Sequence, residues 1–263
     1  MKDAVISTMT ESEYRSLPAL NASRFKAFYR SPYHFFNQKE VETTEAMRIG
    51  TAVHTAMLEP ELYDSTIGYM PDVDGRTNEG KAIKKAFAEQ YAGKTILKAE
   101  SKEIVQRACI GLQYSNEWKA IKAIPEMRYE QVILADLQGI HCKARLDLVD
   151  VERGIIRDIK TCDDAGIVKF CHTVKDRLYW LQSAFYVLMA EKAFGKPFNF
   201  EFIAVETSDP SSSLFHPVDE EEMKLWKSYV MDMLLRYGEC VKTDTWPKPR
   251  NRVIHKLYIP YAE

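Results

Sequence analysis

The stretch MRYEQVILADLQGIHCKARLDLVDVERGIIRDIKTC, from Met127 to Cys162, limits the fold more than any other part of the chain. It is rich in β-branched residues and broken by turn signals at Gly139 and Gly154, so it reads as three consecutive antiparallel strands. Its last piece, GIIRDIKT, has the apolar character of a buried strand, yet it carries Asp158 and Lys160 on either side of Ile159. Asp147 sits in a similar apolar setting eleven residues earlier. A sheet that places charge there has to supply partners for it, because an uncompensated buried charge is costly.

If Glu152 and Arg153 form the turn, the numbers of facing residues add to 305, which sets Asp147 opposite Asp158 and Arg145 opposite Lys160. Side chains alternate across a strand, so Asp158 and Lys160 share one face and Ile159 points to the other. Facing residues lie with their Cβ atoms about 5 Å apart. Two carboxylates so close repel each other, and a shared proton or a divalent cation relieves them. Mg2+ prefers oxygen ligands, one or two carboxylates among them, and completes its shell with substrate phosphate oxygens. A lysine two residues on can orient a water or steady developing negative charge. A lone DxK is more often a solvated strand edge; a second aspartate at the same spot shifts the weight toward phosphodiester hydrolysis.

Elsewhere the periodicity is mixed. Ser23 offers an N-cap for a short helix interrupted near Pro32, and TEAMRIGTAVHTAMLEP reads as a helix stopped by Pro60. From Lys81 to Ala123 the pattern is helical and basic, nine Lys or Arg against four acids. After the meander come a long helix, RLYWLQSAFYVLMAEKAFG, closed by Gly195, a strand FNFEFIAVET, and a last long helix whose acidic start, DEEEMK, suits a helix N-terminus. The order implies a mixed α/β or α+β single domain over residues 1–263, with a helical part to about residue 123 and a sheet-containing part from about 124. With 46% apolar and 28% charged residues the chain has ordinary globular composition, and its net charge of -2 argues against coating nucleic acid by bulk charge while leaving room for a local basic groove. The five cysteines form no CxxC pair, which argues against a zinc ribbon. With no leader-like start and no apolar run near about 18 residues, the sequence reads as a soluble protein of a reducing compartment, a cytoplasm.

Two further pairs bear on the aspartates. Gly50 and His54 fall on one helix face, and Gln182 and Tyr186 fall on one face of the helix after the DxK strand. Each alone is more often ordinary packing. Taken in order, GxxxH, an Asp at a strand end, DxK and QxxxY resemble the RecB-like branch of the PD-(D/E)xK nucleases. Within that branch they are more similar to the C-terminal nuclease domain of the RecE-type exodeoxyribonuclease VIII. The stretches MRIGTAVHTAMLEPELY, GRTNEGK, GKTILKAE, CKARLDLV, RDIKTCDDA and QSAFY carry the resemblance over nearly the whole chain.

The resemblance implies a restriction-endonuclease-like core, a central mixed sheet with an antiparallel meander flanked by helices. It implies a Mg2+-dependent exonuclease, with Mn2+ able to substitute, that digests the 5′ strand of linear duplex DNA. The products would be 5′-mononucleotides and 3′ single-stranded tails for strand annealing. It assigns His54, Asp147 and Asp158 to the metal, Lys160 to catalysis, and Gln182 and Tyr186 to the same site. The Ile159 carbonyl is a further ligand candidate, and Glu130 is either a further carboxylate of the site or a strand-surface residue. Family members form ring-like oligomers, a tetramer favoured here over a trimer, and act with a RecT-type annealing protein in a bacterial or phage-infected cytoplasm. The chain departs from the pattern in having ARLD where a proline commonly precedes the aspartate, and Cys162 where a second threonine is common. It lacks the four clustered cysteines of the iron–sulfur relatives and the GxxxxGK[ST] loop of the motor-bearing ones, so neither a cluster nor a nucleotide is expected.

For DNA, the candidates are Arg24, Lys26 and Arg30 near the start and Arg76, Lys81, Lys84 and Lys85 around GRTNEGK, with Tyr29, Tyr33, Phe35 and Phe36 as stacking platforms for a frayed base. Two other readings stand: a structure-specific or restriction-like endonuclease on the same core, and a non-catalytic DNA-binding or assembly module.

Overall fold

The computed structural model describes residues 4–7, 9–39 and 42–249. The chain opens with β1 (Ala4–Ser7), α1 (Glu11–Ser16), α2 (Ala22–Arg30), α3 (Pro32–Phe36) and α4 (Glu45–Leu58). A 3-10 turn (Pro60–Leu62) leads to α5 (Tyr63–Thr66), β2 (Ile67–Tyr69), α6 (Asn78–Gln90), β3 (Thr95–Leu97), α7 (Ser101–Gln113) and α8 (Asn116–Lys122). The meander is β4 (Met127–Leu137), β5 (Ile140–Asp150) and β6 (Ile155–Cys162). It is followed by α9 (Ile167–Asp176), α10 (Tyr179–Phe194), β7 (Asn199–Glu206), β8 (Ser213–Pro217) and α11 (Glu220–Thr243).

Six strands form one sheet in the order β1-β4-β5-β6-β7-β8. All neighbours are antiparallel except β6 and β7, which run parallel because α9 and α10 carry the chain back between them. A small parallel pair, β2 and β3, lies apart from this sheet. Helices cover both faces. On one, α2, α10 and α11 supply Phe25, Phe185 and Leu234 to a core that takes Ile156 and Phe202 from the sheet. On the other, α4, α7 and α8 bring Val53, Leu112 and Trp118 against Leu148, Ile159 and Ile203. Each fully buried side chain of this size is worth about 1.5–3 kcal/mol of transfer free energy, so both layers anchor the sheet between them. Among the described residues, no helix is long and apolar enough to cross a membrane.

The facing pairs of β5 and β6 do add to 305, at Leu148 with Arg157, Val149 with Ile156 and Asp150 with Ile155. The ladder ends there. Arg145 therefore does not face Lys160: past Arg157 the strand β6 leaves β5 and keeps company with β7 alone, through to Cys162. The turn holds residues 151–154 rather than Glu152 and Arg153 only.

Other local expectations also shift. The helix α2 starts at Ala22, capped by Asn21 rather than Ser23. The asparagine side chain accepts the Arg24 N–H at 2.8 Å and so satisfies a first-turn donor. Ser31 ends α2 and caps α3, with Pro32 in the first turn. The part before residue 124 is not purely helical: β1 joins the main sheet, and β3 interrupts the basic helical stretch. The helix α10 ends as expected at Gly195, whose φ of 67° is open to glycine at little cost. Asp219 caps α11, with Glu220, Glu221 and Glu222 in its first turn.

Candidate active site

The site lies in the opening between β5 and β6. A buried N–H needs a partner, and beyond the end of the ladder the Ile159 N–H finds one in Asp147, whose Oδ2 accepts it at 2.8 Å. Ile159 turns its side chain into the α4–α7 layer, while Asp158 and Lys160 face α10. The opening is thus reached from both sides of the sheet.

From the first side comes His54. Its Nε2 lies 2.7 Å from the Ile159 carbonyl oxygen and its Nδ1 lies 3.3 Å from Asp147 Oδ2. Gly50, one helical turn earlier, explains how α4 comes so near: a Cβ there would stand 3.3 Å from Thr161 Oγ1 on β6. The GxxxH spacing is therefore one close approach and one reaching side chain on the same face.

From the other side comes α10. Gln182 Nε2 donates to the Tyr186 hydroxyl at 3.1 Å and reaches Asp158 Oδ1 at 3.4 Å. Asp158, only 1% exposed, forms an ion pair with Lys160 through Oδ2. Lys160 Nζ lies 4.9 Å from the centre of the Tyr179 ring. On the same ring, at the same distance, sits Lys26 of α2, which donates to Gln182 Oε1 at 3.1 Å. Lys26 is the one sequence-proposed DNA contact that the structure brings to the acids. Arg24, Arg30, Arg76, Lys81 and Lys85 are exposed and Lys84 is half-buried. Tyr29 and Phe36 are exposed, but Phe35 is not a stacking platform: it is buried among Phe28, Tyr237 and Trp246.

Glu130 completes the group. It lies within β4 and has φ of 48°, a left-handed conformation uncommon for a residue with a side chain. The pairing of β4 with β5 skips Glu130 and Asp147 and resumes on either side in the same register, Tyr129 with Leu148 and Gln131 with Leu146. Alternation slips there. Leu148 packs into one layer and Leu146 into the other, though two residues apart they would share a face in a regular strand. A second left-handed residue, Leu178 with φ of 52°, starts α10 beside Tyr179. Backbone strain of this kind costs on the order of 1–3 kcal/mol per residue and persists where the surroundings fix it.

The charges are crowded. Burial first, and then Asp158, push Asp147 up to about 6, against the pull of His54 and Lys160. Burial and Asp147 push Glu130 up to about 9, against Arg145. Burial works to lower Lys160, but Asp158 and Asp147 outweigh it and hold the ammonium above its ordinary value. Lys26 falls to about 7 through burial and repulsion from Lys160. Burial and Asp158 raise the Tyr186 hydroxyl well above its ordinary value, so it stays neutral.

The donor set suits a hard divalent cation. His54, Glu130 and Asp147 each offer a ligand atom, all within 4.8 Å of one another. The Ile159 carbonyl oxygen lies beside this set, 2.7 Å from His54 Nε2. Of the ligands suggested by sequence, His54, Asp147 and the Ile159 carbonyl gather here with Glu130, while Asp158 is held by Lys160. Sequence reading missed Tyr179, beneath both lysines, and Arg145, which pairs with Glu130. For Arg145 the signal was present in its position two residues before Asp147.

A six-stranded, mostly antiparallel sheet flanked by helices, with two aspartates and a lysine where its central strands part, defines a PD-(D/E)xK nuclease-type fold. The chain belongs to the family described as a PDDEXK-like domain of unknown function (DUF3799), whose model matches residues 21–253. Nucleases of this superfamily are typically dependent on a divalent metal. No curated protein matches the chain. Among solved structures, that of a candidate exonuclease from Eubacterium rectale is similar with a TM-score of 0.64 at 16% identity, over 96% of this chain and 97% of that one, and shares the fold. The structure of SSO0001 overlaps 72% of this chain and 86% of its own at 14% identity, but its TM-score of 0.29 has no bearing on the fold.

Proposed function

We propose that this protein is a divalent-cation-dependent exonuclease of RecE type. It degrades the 5′ strand of linear duplex DNA to mononucleotides and leaves 3′ tails for annealing. The observation that carries the reading is the convergence of His54, Asp147, Asp158, Lys160, Gln182 and Tyr186 on one opening in the sheet, although they come from four separate elements. His54, Glu130, Asp147 and the Ile159 carbonyl would hold the cation, with Asp158 at its flank. A bound Mg2+ or Mn2+ lowers the pKa of water and neutralises charge on the scissile phosphate.

The chain's own groups do the rest. Lys160 Nζ, charged and backed by Asp158, donates to a phosphate oxygen or to the attacking water. Asp158 keeps that ammonium from turning away, and Gln182 keeps Asp158 in place with Tyr186 as its brace. Lys26 adds a second cation on the Tyr179 ring for the DNA backbone, and the exposed Arg24, Arg30, Arg76, Lys81 and Lys85, with the half-buried Lys84, supply weaker, salt-sensitive contacts. Action as one domain, in a ring-shaped homo-oligomer, with a single-strand annealing partner and in a cytoplasm, belongs to the same reading.

The test uses linear duplex DNA labelled at the 5′ end, a covalently closed circle, and Mg2+, with wild type, Asp158→Ala and Lys160→Ala. The label leaves the linear duplex as mononucleotide, the circle survives, and both variants bind DNA without cutting it. Cleavage of the circle would make the protein an endonuclease. Intact activity in Lys160→Ala would remove the assignment of the site, and no cleavage together with no Mn2+ binding would leave a DNA-binding module.

A further inference from the structure

Arg145 stands beside the site with three acids around one guanidinium. Its Nε is 2.7 Å from Glu130 Oε2, its Nη2 is 2.9 Å from Glu59 Oε2, and its Nη1 pairs with Glu11. The acids come from three places: Glu11 from α1, Glu59 from the end of α4, and Glu130 from the left-handed point of β4. The Arg145 side chain is 12% exposed and that of Glu130 is 15% exposed, so the pair lies mostly out of water. Two residues further along β5 is Asp147, within ligand reach of Glu130. A second basic residue of β5 fastens the same segment: Lys143 Nζ donates to the Tyr14, Arg15 and Leu17 carbonyls, which fixes the end of α1 against the strand.

Without a positive group among them, Glu11, Glu59 and Glu130 would crowd one another and Asp147, and nothing would keep the Glu130 side chain from swinging away. We infer that Arg145 is a positioning residue for the metal-ligating carboxylate. It engages one oxygen of Glu130 and so presents the other to His54 and Asp147, while Glu59 and Glu11 hold the guanidinium from behind. This rests on the metal-dependent reading above, and it adds a residue that touches neither cation nor substrate.

The sign of the effect separates positioning from simple charge. A fixed positive group near a cation site repels the cation, so removing it as mere charge would tighten binding. Removing a group that holds a ligand in place weakens binding, typically by about 10- to 100-fold for such outer partners. Mn2+ affinity is measured by calorimetry on the full chain for wild type, Arg145→Gln, Arg145→Lys, Glu130→Gln and the double variant Arg145→Gln with Glu130→Gln, alongside thermal denaturation of each. Arg145→Gln is expected to weaken Mn2+ binding by about 10- to 100-fold, Arg145→Lys by less, and Arg145→Gln to weaken it no further once Glu130 is already Gln. Unchanged or tighter binding in Arg145→Gln with a lowered melting temperature would make Arg145 a structural brace and overturn the inference. So would an equal loss in the Glu130→Gln background. Where Arg145→Gln does not fold, Arg145→Lys decides by the same comparison. Wild type that binds no Mn2+ would overturn the metal-dependent reading itself, and the inference with it.

Discussion

The Lys160–Asp158 pair makes a stability prediction that is independent of catalysis. Both side chains are withdrawn from water, 12% and 1% exposed. Lys160→Ala leaves Asp158 with only the long contact from Gln182 at 3.4 Å. Removing one partner of a buried pair costs about 3–5 kcal/mol, mostly the penalty of the charge left behind. The expected deficit is therefore about 3–5 kcal/mol. For a chain of 263 residues this is a fall of roughly 6–20 °C in melting temperature. Guanidinium denaturation in EDTA at about pH 7 measures this for wild type, Lys160→Ala, and Lys160→Ala combined with Asp158→Asn. The double variant should recover most of the loss, because no charge remains to be stranded. A deficit under about 1 kcal/mol at pH 7, or one that Asp158→Asn fails to relieve, would refute the account.

Two further outcomes follow from neighbouring groups. Lys26 is pushed down to about 7, below its unfolded value, so the cost of its charge is present below pH 7 and fades as pH rises toward the unfolded value. Lys26→Met should stabilise the protein at pH 6 by on the order of 1–2 kcal/mol, the ammonium keeping some water, and by less at pH 10, read from denaturation midpoints; a gain that grows with pH would contradict this. Gly50→Ala should be nearly neutral, since a contact of 3.3 Å with Thr161 is offset by better helix propensity, whereas Gly50→Val should cost about 1–3 kcal/mol and weaken Mn2+ binding through displacement of His54. Equal Mn2+ affinity in the valine variant would show that α4 does not set the position of His54.

The parts of the fold legible in the sequence are those whose side chains report a face. The register of β5 and β6 could be counted from the turn, and Ile159 against Asp158 and Lys160 gave the faces of β6 correctly. The helices α4, α10 and α11 carry their own caps, Thr44, Gly195 and Asp219. The strands β1, β3 and β8 were not legible: at three to five residues they have too little alternation, and they form because a neighbouring strand offers unpaired N–H and C=O groups. The helix α9 was hidden in the long connection between parallel strands. Phe35 looked like a surface aromatic beside Phe36, and only the tertiary cluster with Tyr237 and Trp246 decides which of the two is inside. At the site, the order of motifs picked out the aspartates and the lysine, but the left-handed backbone at Glu130 has no signature, since nothing in YEQ demands a positive φ.

That backbone feature also bears on how the site should be probed. The opening between β5 and β6 exists because β6 departs to pair with β7, and a strand that leaves its neighbour strands its backbone donors. The Asp147 carboxylate stands in for the missing ladder carbonyl by accepting the Ile159 N–H, so the same oxygen that faces His54 also closes the sheet. Asp147→Ala would remove a metal-ligand candidate and orphan a buried N–H at once, at about 1–3 kcal/mol for the orphan alone. Loss of activity in that variant would therefore not separate chemistry from architecture. Asp147→Asn would, because an amide oxygen can still accept from Ile159 while the negative charge is gone. Asp158 accepts no such backbone bond, and its substitution reports more directly on the pairing with Lys160. The two aspartates that looked equivalent across a hairpin thus divide the work: one holds the strands at their parting, and the other holds the lysine.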